Sequence, residues 1–263
     1  MGKYVSESLK KRQQEVLDFW NERAKLAELA GSNDFVAKKL EIAALGKHVQ
    51  SGQKILEVGC GNGFTAIEFA RLHDVDILGI DFSEEMIKSA QSLAEKTPTK
   101  GRVRFEVADV RELVAAESGY DLIYTERVLI NLPDWPAQAK AIKDIVQHLN
   151  PGGRYLMCEN SQDGLDRINE LRVACGLSEI MPPWHNCYFR DAEVSSIDLE
   201  NVRLVDVECY SATYYFISRV VNAWLAAQEA EEPRYEAKVN QLALLLPSVG
   251  DYGQGKLWTW ERD

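Results

Sequence analysis

Residues 55–64 read Ile55-Leu56-Glu57-Val58-Gly59-Cys60-Gly61-Asn62-Gly63-Phe64, an apolar run that leads into three alternate glycines. The apolar run predicts a short buried strand over residues 54–58, and the residues after the glycines predict a helix over residues 64–72. Glycine permits the backbone angles of a tight turn and lets a ligand approach the main chain closely. The stretch therefore predicts a strand, a glycine turn and a helix, with a ligand site at the turn.

The alternation of strand and helix continues along the chain. Apolar runs predict six further strands, at residues 75–80, 103–107, 122–125, 155–158, 202–209 and 256–260. Between them, Ser83 is expected to cap a helix that buries Met86 and Ile87, and residues 135–149 are expected to form another helix. Such alternation implies parallel strands joined by right-handed crossovers. We predict an α/β fold: a doubly wound, mostly parallel seven-stranded sheet with helices on both faces.

Helical patterns flank this core. Residues 6–30, followed by a segment that Asn33 or Asp34 caps and Gly46 ends, predict an N-terminal helical cap. Further helical patterns predict C-terminal helical inserts at residues 165–175, 213–230 and 235–246. We expect one domain over residues 1–263, made of a cap at 1–50, a ligand-binding core at 51–160, and inserts with the final strands at 161–263.

Composition restricts the classes of partner. The 263 residues carry a formal net charge of −11, and such a chain repels nucleic-acid phosphates and anionic lipid. No apolar run reaches the roughly 18 residues that cross a bilayer, and the first residues lack the apolar core of a signal peptide. The five cysteines show no C-x-x-C spacing, which argues against a disulfide framework or a zinc site. We expect a cytoplasmic monomer or homodimer that binds no nucleic acid, no membrane and no metal.

Two acidic residues follow predicted strands at the positions where nucleoside-binding sheets use them. Asp81 comes about 20 residues after Gly59, where a carboxylate accepts hydrogen bonds from ribose hydroxyls. The alternative is that Asp81 only begins the turn that Ser83 caps. Asp109 follows the third strand, within reach of an adenine amino group, although it also suits the N-cap of a short helix.

Four segments together resemble the class I S-adenosylmethionine (SAM)-dependent methyltransferases over roughly residues 55–159. They are Glu57-Val58-Gly59-Cys60-Gly61-Asn62-Gly63, Gly79-Ile80-Asp81-Phe82-Ser83, Ala108-Asp109-Val110 and Leu149-Asn150-Pro151-Gly152-Gly153. The resemblance implies SAM as the cofactor and S-adenosylhomocysteine (SAH) as the product. It implies ribose binding by Asp81 and adenine binding near Asp109. The full set of cofactor-binding residues that we infer is Glu57, Gly59, Cys60, Gly61, Gly63, Asp81, Phe82, Asp109, Val110 and Glu126.

The segment over residues 120–134 resembles the family's fourth strand and the turn that follows it. Many relatives have a histidine in this turn where Asn131 stands here. The resemblance therefore does not supply a catalytic base from this position.

Residues 182–190 are rich in aromatic and hydrogen-bonding side chains and are expected to form a substrate wall. His185 is the candidate general base, because an imidazole titrates near neutral pH. The alternative is a histidine bonded within a structured loop. The candidate substrate-binding residues are Arg127, Trp184, Tyr188, Arg190 and Tyr214, although lone arginines are often exposed and paired tyrosines are often part of a core.

These features predict a SAM-dependent methyltransferase that acts on an oxygen, or less favourably a nitrogen, of a small metabolite or sugar-like acceptor. A catalytically inactive SAM-binding regulatory protein is the alternative. A nicotinamide-dependent dehydrogenase is disfavoured by the Gly-x-Gly-x-Gly spacing and by Asp109. Glu159, Asn160 and Asp163 resemble a magnesium site only superficially, because neighbouring carboxylates are common at the polar end of a sheet.

Overall fold

The computed structural model describes residues 2–26, 30–115 and 118–263. Seven strands, β1 to β7 in chain order, are Lys54–Val58, Asp76–Asp81, Arg102–Val107, Tyr120–Glu126, Leu149–Asn160, Val202–Glu208 and Gly255–Arg262. They form one sheet in the order β3-β2-β1-β4-β5-β7-β6. Strands β1 to β5 run parallel, whereas β7 pairs antiparallel with both β5 and β6. The predicted seven-stranded, mostly parallel α/β fold is confirmed.

The helices α1 to α9 are Gly2–Ala24, Phe35–Gly46, Phe64–Leu72, Glu84–Lys96, Trp135–Val146, Gln162–Ala174, Asp191–Ser195, Ala212–Tyr215 and Asn222–Gln228. A π-helical turn, Phe216–Val221, joins α8 to α9. Two predicted N-caps are confirmed, since Asp34 accepts a hydrogen bond from Ala37 N and Ser83 accepts one from Met86 N. None of the helices in the described ranges combines the length and apolar character that crossing a membrane requires.

Three predicted helices differ in extent. The first ends at Ala24, and residues 27–29 of that prediction lie outside the described residues. The fifth ends at Val146, because Leu149 already pairs with Tyr120 in the sheet. The last is only a 3-10 helix, Lys238–Leu244, because most of the leucines at residues 242–246 are exposed and provide no buried stripe.

Helices cover both faces of the sheet because successive strand residues point to opposite sides. On one face, Ile55 packs in a cluster with residues of α2, α3 and α4. On the other face, Leu56 and Val58 pack in a cluster with residues of α5. Glu57 lies on the same side of β1 as Ile55 and is buried there.

The C-terminal inserts pack against the N-terminal cap. Val36 and Ala37 of α2 form a buried cluster with Tyr214, Tyr215 and Ile217. Contacts between segments so distant in sequence bring the cap and the inserts to the same side of the molecule.

The first turn of α6 is packed too tightly for any side chain at Gly164. A Cβ atom there would lie 2.0 Å from the carbonyl oxygen of Gly253, and backbone atoms cannot move aside as a flexible side chain can. We expect Gly164→Ala to lower the free energy of unfolding by about 1–3 kcal/mol, as measured by urea denaturation. Gly46→Ala is the matched control, because its Cβ would make an ordinary 3.5 Å contact with Phe69. Equal stability of the two variants would contradict this prediction.

Candidate functional site

A cavity of about 380 Å³ opens at the carboxyl ends of the parallel strands. Strand order reverses there, because β1 lies between β2 and β4 and the chain crosses to the far side of β1 after β3. Open α/β sheets bind ligands at such a switch point. The volume lies in the range that is typical of small-molecule sites.

The glycine turn forms one wall of this cavity. Gly61 has a φ of +52°, and a Cβ atom added to it would meet no atom within 4 Å, so this residue faces open space. Gly59 also lines the cavity, but a Cβ there would lie 2.3 Å from Val128. Gly63 is not in the lining, because its Cα faces Phe105, 2.4 Å from where a Cβ would be. Gly63 is therefore required by packing, and also by its φ of +73°, which favours glycine.

The Asp81 carboxylate is held in place by the backbone. Gly61 N donates a hydrogen bond to Oδ2 and Ser83 N donates one to Oδ1, each at 2.9 Å. Burial raises the pKa of Asp81 to about 6. Asp81 thus shapes the turn before Ser83 and also lines the cavity, so ribose binding by its carboxylate stays a prediction.

The predicted adenine segment also lines the cavity, through Ala108, Asp109 and Val110, and Phe82 of the ribose loop lines it as well. Arg111 is paired with the Asp109 carboxylate, and its backbone N donates a hydrogen bond to Oδ1 at 2.9 Å. Burial opposes ionisation of Asp109, but the hydrogen bonds from Arg111 outweigh it and lower the pKa of this carboxyl. Asp109 is therefore an ionised wall residue that already has a cationic partner.

Glu57 is buried at the floor of the cavity beneath the glycine turn, and Cys60 lines the cavity beside it. Burial raises the pKa of Glu57 to about 8, and the nearby charge of Glu126 acts in the same direction. Among the described residues, Glu57 Oε2 has no hydrogen-bond partner. A buried polar atom in this state is ready to bond to a ligand.

Charged residues meet at the carboxyl end of β4. Lys38 Nζ lies 2.5 Å from Glu126 Oε1, and Thr65 donates a hydrogen bond to Glu126 Oε2 at 2.8 Å. Arg127 Nε lies 3.1 Å from Glu41 Oε1. Arg127 also has a φ of +56°, a left-handed conformation that is uncommon outside glycine and recurs at functional sites.

The turn after β4 is fixed by a buried carboxylate. Glu159 accepts hydrogen bonds from the backbone N of Val128 and Leu129 at 2.9 Å each and from Ile130 N at 3.4 Å. Burial raises the pKa of Glu159 to about 7. Glu159 therefore positions the turn after β4. Asp163 has other partners, because it pairs with Arg190 and accepts a hydrogen bond from Asp191 N.

Helix α1 covers one side of the cavity. Trp20 Nε1 donates a hydrogen bond to Asn131 Oδ1 at 3.2 Å, and the Phe19 ring lies 4.4 Å from the His185 ring. Arg12 and Arg23 of the same helix also line the cavity. The cap thus shields the ligand space from water.

His185 lies in the cavity wall, and only 8% of its surface is exposed. Its Nδ1 is buried without a hydrogen-bond partner among the described residues. Burial, together with the charges of Arg12 and Arg23, lowers its pKa. The imidazole is therefore neutral at pH 7 and able to accept a proton.

Not every predicted substrate residue reaches the cavity. Tyr188 and Arg127 line it. Trp184 touches the Phe19 and His185 rings but is 57% exposed and is outside the lining. Arg190 points to solvent and pairs with acidic residues of α6, and Tyr214 is buried with its hydroxyl on Asp34.

Several lining residues were missed by the sequence reading. They include Lys38, Arg219, Tyr235 and the α1 residues Arg12, Phe19, Trp20 and Arg23. Regular helical periodicity does not place Arg219 beside Tyr215, because Arg219 lies in the π-helical turn Phe216–Val221.

Similarity to known proteins agrees with this geometry. Residues 49–197, more than half of the chain, match a family model described as a methyltransferase domain. An O-methyltransferase of Aspergillus nomiae is 35% identical over 137 residues, which span 52% of this chain and 56% of that protein. Phosphoethanolamine N-methyltransferase 1 of Triticum aestivum is 34% identical over 111 residues, which span 42% of this chain and 21% of that protein. The matches thus span about half of the first relative and about a fifth of the second.

The structure of magnesium protoporphyrin IX methyltransferase from Synechocystis, solved with bound SAH, aligns with 99% of this chain and 88% of its own. Its TM-score is 0.54 at 14% sequence identity, which demonstrates a shared fold. The family match, the shared fold and the glycine turn with its acidic partners lead to one conclusion: the chain belongs to the SAM-dependent methyltransferases with a Rossmann-like fold.

Proposed function

We propose that this chain transfers a methyl group from SAM to an oxygen of a small metabolite or sugar-like acceptor, with nitrogen as the less favoured target. The observation that carries the proposal is the continuity of the cavity. It joins the glycine turn and Asp81 to His185, Arg127 and Tyr188. One space can therefore hold a cofactor and an acceptor side by side.

The residues of the cavity fit SAM on two grounds. Gly61 leaves open space beside the main chain, and Glu57 Oε2 is a buried polar atom without a partner among the described residues. Asp81 would hold the ribose, and Phe82 and Asp109 would flank the adenine. SAM, when bound, supplies a methyl group that is already activated by a sulfonium.

The protein must supply the other requirements of the reaction. Methyl transfer needs an in-line nucleophile at close range and exclusion of water. The contacts of α1 with Asn131 and His185 support the exclusion of water. His185, neutral because of its lowered pKa, is the residue that would take up the proton released by an acceptor hydroxyl.

The test uses the purified protein in two steps. Calorimetry with SAH measures cofactor binding, and incubation with methyl-labelled SAM and a metabolite extract measures transfer. Binding and label incorporation are both expected. Binding of SAH without transfer to any extract fraction would instead favour a regulatory SAM-binding protein.

Removal of the Asp81 carboxylate is expected to weaken binding of SAM and SAH equally, because both contain the same ribose. Loss of hydrogen bonds to a charged group costs about 1.5–3 kcal/mol, or about 10- to 150-fold in affinity. Calorimetry on Asp81→Ala measures the loss. Asp76→Ala is the matched control, because Asp76 is at the other end of β2 and pairs with Arg102. Unchanged affinity in a folded Asp81→Ala protein would refute the ribose assignment.

A further inference from the structure

One part of the cavity wall is rich in cationic and tyrosine side chains. We call it the acceptor half, and it is lined by Lys38, Arg127, Tyr188, Tyr215, Arg219 and Tyr235. The charges of both Arg127 and Arg219 act on the Tyr188 hydroxyl, where they oppose the rise in pKa that burial causes. Both arginines line the same cavity as Tyr188.

Arg219 is held between aromatic rings. Its guanidinium carbon lies 5.2 Å from the centre of the Tyr215 ring and 5.0 Å from that of Tyr235. Nη2 donates a hydrogen bond to Asp34 Oδ2 at 2.9 Å. Stacking on aromatic faces and a fixed acidic partner orient the planar donor group before any ligand arrives.

Arg127 retains capacity to donate. Its Nε has no hydrogen-bond partner among the described residues, because Glu41 Oε1, at 3.1 Å, is in ion-pair range without hydrogen-bond geometry. Burial raises the pKa of Glu41 above its usual range, against the opposing effect of the Arg127 charge. The charge of Lys38 lowers the pKa of Glu126 against the effect of burial, so Glu126 stays ionised.

Cationic side chains are concentrated in the acceptor half. Lys38, Arg127 and Arg219 line it, in a protein whose formal net charge is −11. Their carboxyl partners are Glu126, Glu41 and Asp34. An anionic ligand would use the donor capacity that remains, above all the Arg127 Nε atom, which has no hydrogen-bond partner among the described residues.

We propose that the methyl acceptor is an anion whose carboxylate or phosphate group is bound by Arg127 and Arg219 beside Tyr188. The forked guanidinium suits both groups, because it donates two parallel hydrogen bonds to a pair of oxygens. The proposal rests on the proposed function, since it names the class of acceptor for the same site. Binding of SAH alone does not depend on it.

The first experiment separates acceptors by charge. A metabolite extract is divided on an anion-exchange resin, and each fraction is incubated with the protein and methyl-labelled SAM. We expect the label in products of the retained fraction. Label only in the unretained fraction overturns the anionic acceptor but leaves methyl transfer intact, whereas SAH binding with no label in either fraction overturns both. Phosphatase treatment of the retained fraction before the assay abolishes labelling of a phosphate acceptor and preserves that of a carboxylate acceptor.

The second experiment tests the arginine. Arg219→Gln is expected to raise KM for the retained acceptor by about 10- to 150-fold, with SAH affinity and kcat nearly unchanged. Arg190→Gln is the matched control, because Arg190 is exposed outside the cavity and pairs with Asp163 and Asp166. If Arg219→Gln misfolds, Arg219→Lys keeps a cation near Asp34 and removes only the fork, and a rise in KM is still expected. An unchanged KM in a folded Arg219 variant contradicts the proposal.

Discussion

Gly61→Val is expected to abolish binding of SAM and SAH while the helical circular dichroism stays close to that of the wild-type protein. The added side chain enters open space rather than the core, since a Cβ atom at Gly61 meets no atom within 4 Å. That space is the cavity itself, so the valine competes directly with the ligand. We expect an affinity at least about 100-fold weaker, which corresponds to about 2.7 kcal/mol or more, as measured by calorimetry.

Backbone strain must be separated from this steric effect, because valine is disfavoured at the positive φ of Gly61. Gly152→Val is the matched control. Gly152 has a φ of +74°, also meets no atom within 4 Å, and lies near the amino end of β5, whereas the cavity lies at the carboxyl ends of the parallel strands. The Gly152→Val variant is expected to have similar backbone strain and a normal affinity for SAH. Normal binding by Gly61→Val would mean that the glycines serve only the turn.

His185→Ala is expected to lower turnover by roughly 10²- to 10⁴-fold, the range for removal of a general base, with SAH affinity nearly unchanged. The imidazole is placed for this role by its position in the cavity wall and by an Nδ1 atom without a partner among the described residues. Its lowered pKa keeps it neutral at pH 7. Transfer from labelled SAM measures the loss.

Two further variants distinguish a base from a positioning group. His185→Gln retains hydrogen bonding but cannot take up a proton. A base role therefore predicts the same loss of turnover as in His185→Ala. It also predicts that the fall of turnover at low pH, which protonation of His185 causes, disappears from the pH profile. His73→Ala, outside the cavity lining, is the control and should keep full turnover. A loss below about 10-fold with an unchanged pH profile would exclude a base with the usual effect of proton transfer.

The part of the cavity that the glycine turn and Asp81 form could be predicted from the sequence, because the residues that form it follow directly after predicted strands. The glycine turn and Asp81 are tied to the ends of two adjacent parallel strands, and strand periodicity locates those ends. The sheet order then brings them together. Gly63 is a partial exception, because its positive φ is local but its lack of space for a side chain comes from Phe105, which is distant in sequence.

The acceptor half was predicted less well, because its lining residues depend on how a helix is rotated about its own axis. Tyr214 and Tyr215 are neighbours in sequence, but successive helical residues point about 100° apart, and only Tyr215 lines the cavity. The π-helical turn after α8 changes this phase again before Arg219. Arg190 was misassigned for another reason, since its acidic partners come from α6 and depend on tertiary packing.

Two buried carboxyl groups of the cavity lining, Glu57 and Asp81, link ligand binding to folding, and a third, Glu159, is buried outside that lining. Burial raises the pKa values of Glu57, Asp81 and Glu159 to about 8, 6 and 7, whereas in an unfolded chain such groups titrate near about pH 4. The stability that these protonated groups contribute is fully present below about pH 4 and is lost as the pH rises through each folded value. At neutral pH the ligand-free protein therefore holds partly ionised carboxyls away from bulk water. A ligand that binds the folded protein through polar contacts with these carboxyls raises the free energy of unfolding of the whole protein by mass action. The ligand in the cavity therefore contributes to the stability of the fold.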